Sequence, residues 1–288
     1  MTRILTPWLM SIALMVSWTS ACSQVVIYPR HQAQNDPQLQ YVLEVLRLAL
    51  SRSGKAYELR QSSSVMVQSR AIAELAGDTG KLDVIWVMTN PEREKLLAPV
   101  RIPIDRGLIG WRVALLNAQQ SKVLSAVKDL PSLTPFTAGQ MHDWPDTAVL
   151  RANGLNVVAS PTYEGLFKQL GSQRIDYFPR SVMEIRNELR SHADLPLVID
   201  DAIMIRYPAA FYFFVSKNRP ELAADINKGL EASLADGSFM KLFKRHILPL
   251  LDGLELRKRT VISLTNPDLP PATPLQRKQL WFELDELR

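Results

Sequence analysis

The sequence predicts an α/β protein with two lobes, on three observations. The chain has 288 residues, of which 47% are hydrophobic and 22% charged, so it can fill the cores of two ordinary domains without disulfides. Short strand-like runs alternate with helical segments, which is the pattern of a parallel α/β sheet. This alternation occurs twice, once on each side of a change of pattern near Gly107. Two such series in one chain predict two lobes.

The first series contains three strand-like runs, at residues 25–28, 57–59 and 82–87. Asp36 and Pro37 open a helix after the first run, because Asp is a favoured cap and Pro fits the first helical position. A second helix precedes the third run and ends at a glycine, as helices commonly do. The order strand–helix–strand–helix–strand predicts a parallel sheet.

The second series begins with a strand predicted over residues 107–116. Helices predicted to begin at Pro145 and Ser160 each end at a glycine. A strand predicted at 175–178 follows them, and the apolar run at 209–215 predicts a late buried strand. After residue 264 the chain is rich in proline and is predicted to be extended. We expect three apolar residues to hold its end to a lobe: Trp281, Phe282 and Leu284.

Composition excludes several classes of function. Lys and Arg number 34 against 29 for Asp and Glu, giving a formal net charge of +5, and the densest basic run is only residues 257–259. No nucleic-acid partner is therefore predicted. The four histidines are scattered, and no phosphate-binding loop or metal-binding motif is present. We expect no metal and no cofactor.

The N-terminus has the composition of an export signal over residues 1–22. Arg3 is followed by a mainly apolar stretch at 4–18, then by three small residues and Cys22. The stretch is shorter than a membrane-spanning helix requires. The residues before Cys22 resemble the lipobox of bacterial lipoproteins, although Thr19 stands where Leu is usual. The sequence leaves two alternatives open: ordinary cleavage before Cys22, or lipidation of Cys22 and membrane anchoring.

Three local patterns carry a resemblance to a known family. They are residues 82–86 followed by 89–93, the stretch 165–178, and the stretch 234–239. In this order and spacing the chain resembles the type 2 periplasmic solute-binding proteins, in particular the amino-acid-binding branch (family 3) of ABC importers. The likeness covers nearly all of the chain after the signal.

The resemblance implies two α/β lobes joined by two crossing strands, with a ligand in the cleft between them. It implies lobe one from residues 23–110 and 205–288 and lobe two from 111–204. This location has an independent basis, because ligands of open α/β sheets bind outside the carboxyl ends of the strands. It also implies a periplasmic location.

Arg93 is the first residue to which the resemblance gives a role. In amino-acid binders the arginine of this stretch clamps the ligand carboxylate, since a guanidinium donates two parallel hydrogen bonds. In the family a Thr lies three residues before this arginine. In the present sequence Thr89 lies four residues before Arg93.

The second candidate is the pair Asp143 and Trp144, where a lobe-two helix begins. Asp143 or Asp146 can cap that helix, and Trp144 can stack on a ligand.

Arg180 is the third candidate. Amino-acid binders place an acidic residue about five positions after the residue matching Asp176, but Ser181 stands there. We therefore expect Arg180 to lack an acidic partner and to bind a second anionic group of the ligand. The remaining candidates are an aromatic and a cation after the first strand, and an aromatic at a later helix start: Tyr28, Arg30 and Tyr163.

These features favour a binding protein for a small anionic or zwitterionic, amino-acid-like solute. It is expected to be a monomer that serves an ABC importer or a membrane receptor. It is not expected to be an enzyme, because His142, the most tempting catalyst, has no nucleophile motif beside it and the chain has no room for the added catalytic domain of fused enzymes. Two alternatives stay open: a degenerate envelope lipoprotein with a structural or signalling role, or an enzyme that reuses the fold.

The export signal generates the first testable prediction. The mature protein is expected to begin at Cys22 and to fractionate with the cell envelope, and mass spectrometry of the mature N-terminus checks both points. A retained Met1 would contradict export, whereas an unmodified Cys22 would contradict only the lipid anchor.

Overall fold

The structure is a computed structural model, and it describes residues 23–30 and 37–287. The predicted signal segment with Cys22, and the predicted cap Asp36, lie outside the described residues. None of the described helices combines the length and the apolar character that a membrane crossing requires.

The first lobe is built on a parallel strand pair and a three-stranded sheet. Its early elements are β1 (Gln24–Arg30), α1 (Pro37–Ser51), β2 (Tyr57–Val65), α2 (Gln68–Ala76), β3 (Val84–Met88), α3 (Pro91–Leu96) and β4 (Leu97–Val100). Strand β2 continues six residues beyond the predicted 57–59 and takes in the serine run at residues 62–64. Serine tolerates an exposed strand, and most of this stretch lies at the surface.

Later elements complete this lobe. They are β11 (Phe211–Ser216), α8 (Pro220–Ala235), α9 (Ser238–His246) and α10 (Leu248–Leu251). Strand β11 runs antiparallel between β3 and β4, and β1 pairs in parallel with β2. Asp83 joins the β1–β2 pair to the sheet of β3, β4 and β11. Its N–H donates to Ile27 O at 2.8 Å, and its carboxylate accepts from Ile27 N at 2.8 Å.

The second group of strands forms the other lobe. Its elements are β5 (Trp111–Asn117), α4 (Leu130–Leu133), β6 (Thr137–Met141), α5 (Pro145–Ala152), β7 (Asn156–Ser160), α6 (Tyr163–Gly171), β8 (Phe178–Ser181), α7 (Ile185–Ser191), β9 (Leu197–Ile199), β10 (Ile203–Arg206) and β12 (Thr260–Ser263). Strand β5 pairs with β8, β9 and β10, and β10 also pairs with β12. Strand β8 begins three residues after the predicted start at 175, because residues 175–177 approach β6 before the strand begins.

Two crossing segments, residues 101–110 and 207–210, connect the lobes. They touch closely: Tyr207 N donates to Gly110 O at 3.1 Å, and a Cβ on Gly110 would lie 2.1 Å from Tyr207 O. Only glycine permits this approach of the two backbones. The structure thus places both crossings side by side at the base of the interlobe cleft.

The C-terminal segment lies against the crossing segments. Phe282 is buried, its ring lies 5.6 Å from that of Trp111, and its N–H donates to Arg106 O at 2.8 Å. Trp281 and Leu284 pack on the same core, so the prediction that these three residues hold the tail is confirmed. Strand β12 joins the sheet of β10, however, although it falls in the range 205–288 assigned to lobe one. The exact lobe boundaries stay a prediction.

Gly107 generates a stability prediction. Its φ is +81°, and an added Cβ would lie 2.5 Å from the Trp281 ring; Gly154 has φ +79° but open space around it. Gly154→Ala is expected to lower the free energy of unfolding by about 1 kcal/mol through left-handed backbone strain alone. Gly107→Ala should lower the free energy of unfolding by about 1–3 kcal/mol more than Gly154→Ala does, since the Trp281 ring must also move. Urea denaturation measures both, and equal losses would contradict the contact with Trp281.

Candidate functional site

A cavity of about 210 Å³ lies between the lobes at the crossing segments. Lobe one contributes Gln68, Trp86 and Arg93 to its wall, and the other lobe contributes Trp144, Asp146 and Arg180, among others. The charged groups in the wall are three arginines and two carboxylates: Arg93, Arg112, Arg180, Asp146 and Glu184. The position matches the carboxyl ends of the strands, where α/β sheets bind ligands.

The first turn of α3 brings Arg93 to the cavity. Asn90 caps this helix, because its Oδ1 accepts from Arg93 N at 2.8 Å, and Pro91 occupies the first helical position. Asn90 lies three residues before Arg93, so it stands where the family has Thr. Thr89 instead donates to Glu94 at 2.8 Å. The structure thus shows Asn90, and not Thr89, as the residue that caps the helix of Arg93.

Arg93 is a buried cation that pairs with no acidic residue in the described part of the chain. It is 7% exposed, and it donates to Met88 O and to Gln68 Oε1, both at 2.6 Å. Among the described residues no carboxylate oxygen lies within 4.0 Å of its guanidinium, and a guanidinium has five N–H donors. Burial lowers the pKa of Arg93 to about 10, while the charges of Asp146 and Asp143 act in the opposite direction. Such a desolvated cation attracts an anion.

Arg112 differs from Arg93 because a carboxylate compensates its buried charge. It is 3% exposed, pairs with the carboxylate of Asp146, and its Nε donates to Tyr207 Oη at 3.1 Å. Tyr207 in turn donates its hydroxyl proton to Asp146. Burial acts to lower the pKa of Arg112, but the adjacent Asp146 outweighs it and the pKa lies above its ordinary value. The network ties both crossing segments to the first turn of α5.

Arg180 is also compensated, which corrects the expectation that it lacks an acidic partner. Its Nε donates to both oxygens of Glu188, at 2.9 and 2.7 Å, and its Nη2 donates to Glu184 Oε2 at 2.9 Å. The missing acid at Ser181 is replaced by two glutamates on the next helical turns. Burial acts to lower the pKa of Arg180, but Glu188 and Glu184 raise it well above its ordinary value.

Of the predicted residues at the start of α5, Trp144 and Asp146 line the cavity and Asp143 does not. Trp144 is the cap residue and lines the cavity, but no side chain caps this helix. The prediction that Asp143 or Asp146 caps it is therefore wrong: the Asp146 carboxylate is taken up by Arg112, and Asp143 is exposed and outside the cavity wall.

The other predicted residues lie behind or beside the wall. Tyr28 packs on Trp86, with ring centroids 6.1 Å apart, and Arg30 is exposed at the end of β1. Tyr163 lies behind Trp144, and its hydroxyl donates to Glu188 at 2.5 Å. Sequence reasoning missed most of the wall, including Gln68, Trp86, Arg112, Glu184 and the role of Asp146 as an ion-pair partner. Only Arg112 carried a signal, as a single charge in an otherwise apolar strand.

Within the described ranges, no group of three or more His, Cys, Asp or Glu side chains is placed to hold a metal ion. The wall is made instead of hydrogen-bond donors, two carboxylates and indole rings. This arrangement can hold a small solute with an anionic group.

No family model and no curated protein matches the sequence. Solved structures do match its fold. An ancestral arginine-binding protein bound to arginine has a TM-score of 0.56 at 17% identity, over 78% of this chain and 98% of that one. The GluR0 ligand-binding core complex with L-glutamate has a TM-score of 0.56 at 15% identity, over 79% and 99%. A histidine kinase sensor domain with similarity to periplasmic binding proteins has a TM-score of 0.54 at 16% identity, over 78% and 96%.

These matches establish the architecture: the chain has the two-lobed α/β fold of the type 2 periplasmic-binding proteins. The predicted fold class is confirmed. The matched structures cover 77–84% of this chain and nearly all of their own length, so a part of this chain lies beyond the shared fold.

The Arg112 network generates a second stability prediction. Asp146→Asn is expected to lower the free energy of unfolding by about 3 kcal/mol, because it removes the charge that compensates a buried guanidinium. Asp143→Asn is the matched control: the same change at an exposed position outside the cavity wall should alter the free energy of unfolding by no more than about 0.5 kcal/mol. Urea denaturation of both variants checks the contrast, and similar losses would show that the pair contributes no more than a surface charge.

Proposed function

We propose that the chain is a periplasmic solute-binding protein that captures a small, amino-acid-like solute carrying a carboxylate. The observation that carries this proposal is Arg93, a buried guanidinium that faces the interlobe cavity and forms no ion pair with any residue that the structure describes. A ligand carboxylate supplies the missing counter-charge through charge-assisted, bidentate hydrogen bonds.

The size and charge of the cavity favour the same class of ligand. About 210 Å³ lies below the volume of pockets for drug-sized ligands, which favours a solute of amino-acid dimensions. Three arginines against two carboxylates leave one excess positive charge in the wall. The carboxylate of a zwitterion compensates this excess charge at Arg93. A small organic anion satisfies Arg93 alone.

The destination of the solute is the second part of the proposal. Similar folds are found in a substrate-binding protein of an amino acid ABC transporter and in a kinase sensor domain. Together with the export signal of the sequence, this supports delivery to an ABC importer or to a membrane receptor. We propose a periplasmic monomer, anchored to the membrane if Cys22 is lipidated.

A thermal-shift screen tests the proposal. Amino acids, organic acids and short peptides are added to the purified protein, and a ligand is expected to raise its melting temperature by mass action. Isothermal titration calorimetry then gives the affinity of each hit. If no small solute binds, the proposal is contradicted and a structural role for the fold is favoured.

Arg93→Ala generates the binding prediction. It is expected to lower the affinity for the ligand found in the screen by about 2–5 kcal/mol, which is roughly 30-fold or more. Arg93→Lys should recover only part of this loss, because an ammonium cannot form the planar fork. Calorimetry measures both.

Arg259→Ala is the matched control. Arg259 is also buried and also donates to main-chain carbonyls, those of Leu254 and Asp200, but it is not part of the cavity wall. Its removal should lower stability and leave the affinity within about threefold of the parent. Equal losses of affinity in both alanine variants would show that Arg93 acts only through stability.

A further inference from the structure

The guanidinium of Arg180 occupies a site of unusual composition in the cavity wall. Its Cζ lies 4.6 Å from the ring centroid of Trp144, 4.9 Å from that of Phe178 and 5.7 Å from that of Tyr163. The carboxylates of Glu188 and Glu184 accept its N–H groups at hydrogen-bond distance. Three aromatic rings and two carboxylates around one planar cation form a complete guanidinium-binding site.

We propose that Arg180 determines the ligand specificity of the cleft by filling this site with the protein's own guanidinium. A ligand with a cationic end would need the same rings and carboxylates, which are already taken. It would also meet the charge of Arg180 itself. The cleft is therefore selective for ligands whose second end is acidic or neutral. This inference deepens the proposed function and rests on it for the identity of the site.

The hydrogen bonds of Arg180 indicate what the cleft offers in place of a cation site. Its Nε and Nη2 are directed to the glutamates, whereas its Nη1 makes no hydrogen bond with any residue that the structure describes. Because Arg180 also lines the cavity, Nη1 is the group that remains to donate to a ligand. A carboxylate, carbonyl or hydroxyl oxygen accepts such a bond, and an ammonium or guanidinium does not.

A structure of similar fold differs from this chain in the origin of the bound guanidinium. It is an arginine-binding protein with arginine bound, so this architecture admits a ligand that brings its own guanidinium. In the present chain the guanidinium is covalently part of strand β8. It is held without the loss of ligand freedom that binding a separate molecule entails.

Chemical rescue tests the proposal directly. Arg180→Ala empties the site, and methylguanidine is then added as the probe. The melting temperature of this variant is expected to rise by about 2–5 °C at a probe concentration roughly ten times its Kd. The parent protein, whose site is filled, should show no increase. Arg259→Ala controls for an unspecific effect of the probe on a protein that has lost a buried arginine.

A second variant guards against a failure to fold, since Arg180→Ala leaves two carboxylates without their cation. Arg180→Ala/Glu188→Gln retains the rings and one carboxylate. It should bind methylguanidine at least tenfold more tightly than the parent, though more weakly than the single variant. If neither variant is stabilised beyond the parent and Arg259→Ala, Arg180 does not fill a cation site and the proposal is overturned.

The ligand selectivity of the parent protein provides an independent test of the role of Arg180. The parent protein is titrated with glutamate, glutamine, lysine and arginine. Binding of lysine or arginine with an affinity equal to that of the other two overturns the inference but supports the proposed function. Binding of none of the four contradicts the amino-acid part of the proposed function, while the rescue of Arg180→Ala still decides the role of Arg180.

Discussion

The ion pair between Arg112 and Asp146 is the interaction on which the interlobe cleft depends. Arg112 stands in β5, directly after one crossing segment, and its partner Tyr207 lies in the other. Asp146 belongs to the first turn of α5. All three side chains are buried, so each polar group must find its partner within the protein. That requirement fixes the position of α5 relative to both crossings, and with it the wall of the cavity.

The C-terminal segment adds a second constraint at the same place. Arg106 in the first crossing segment donates to Glu286, and Arg206 at the end of β10 pairs with Glu283 at 2.9 Å. Strand β12 extends the sheet that contains β5 and β10. Phe282 of the C-terminal segment also packs on the ring of Phe243. Opening or closing of the cleft must be compatible with these contacts.

Local patterns predicted much of the fold and part of the site. Helix α5 begins at Pro145 as predicted, because its cap region and first position follow from residue type alone. Arg93 was predicted as a cavity residue, because a short-range motif fixes its place on α3. Strands β10 and β12 were not predicted, since four-residue strands exist through their pairing with distant partners. The glutamate partners of Arg180 were missed because their spacing becomes meaningful only when β8 and α7 are folded together.

The three arginines of the wall show how burial divides one residue type into different roles. A buried guanidinium requires compensation, and the nature of that compensation decides what remains for a ligand. Arg112 is compensated by a carboxylate and a phenol and holds the architecture. Arg180 is compensated by two carboxylates and three rings, and it retains one nitrogen for a neutral or acidic acceptor. Within residues 23–30 and 37–287, Arg93 has only a carbonyl and an amide as partners, so its charge is the one that a ligand anion can still neutralise. Under the proposed function, we therefore expect the free energy of ligand binding to be concentrated at the residue that folding leaves least compensated.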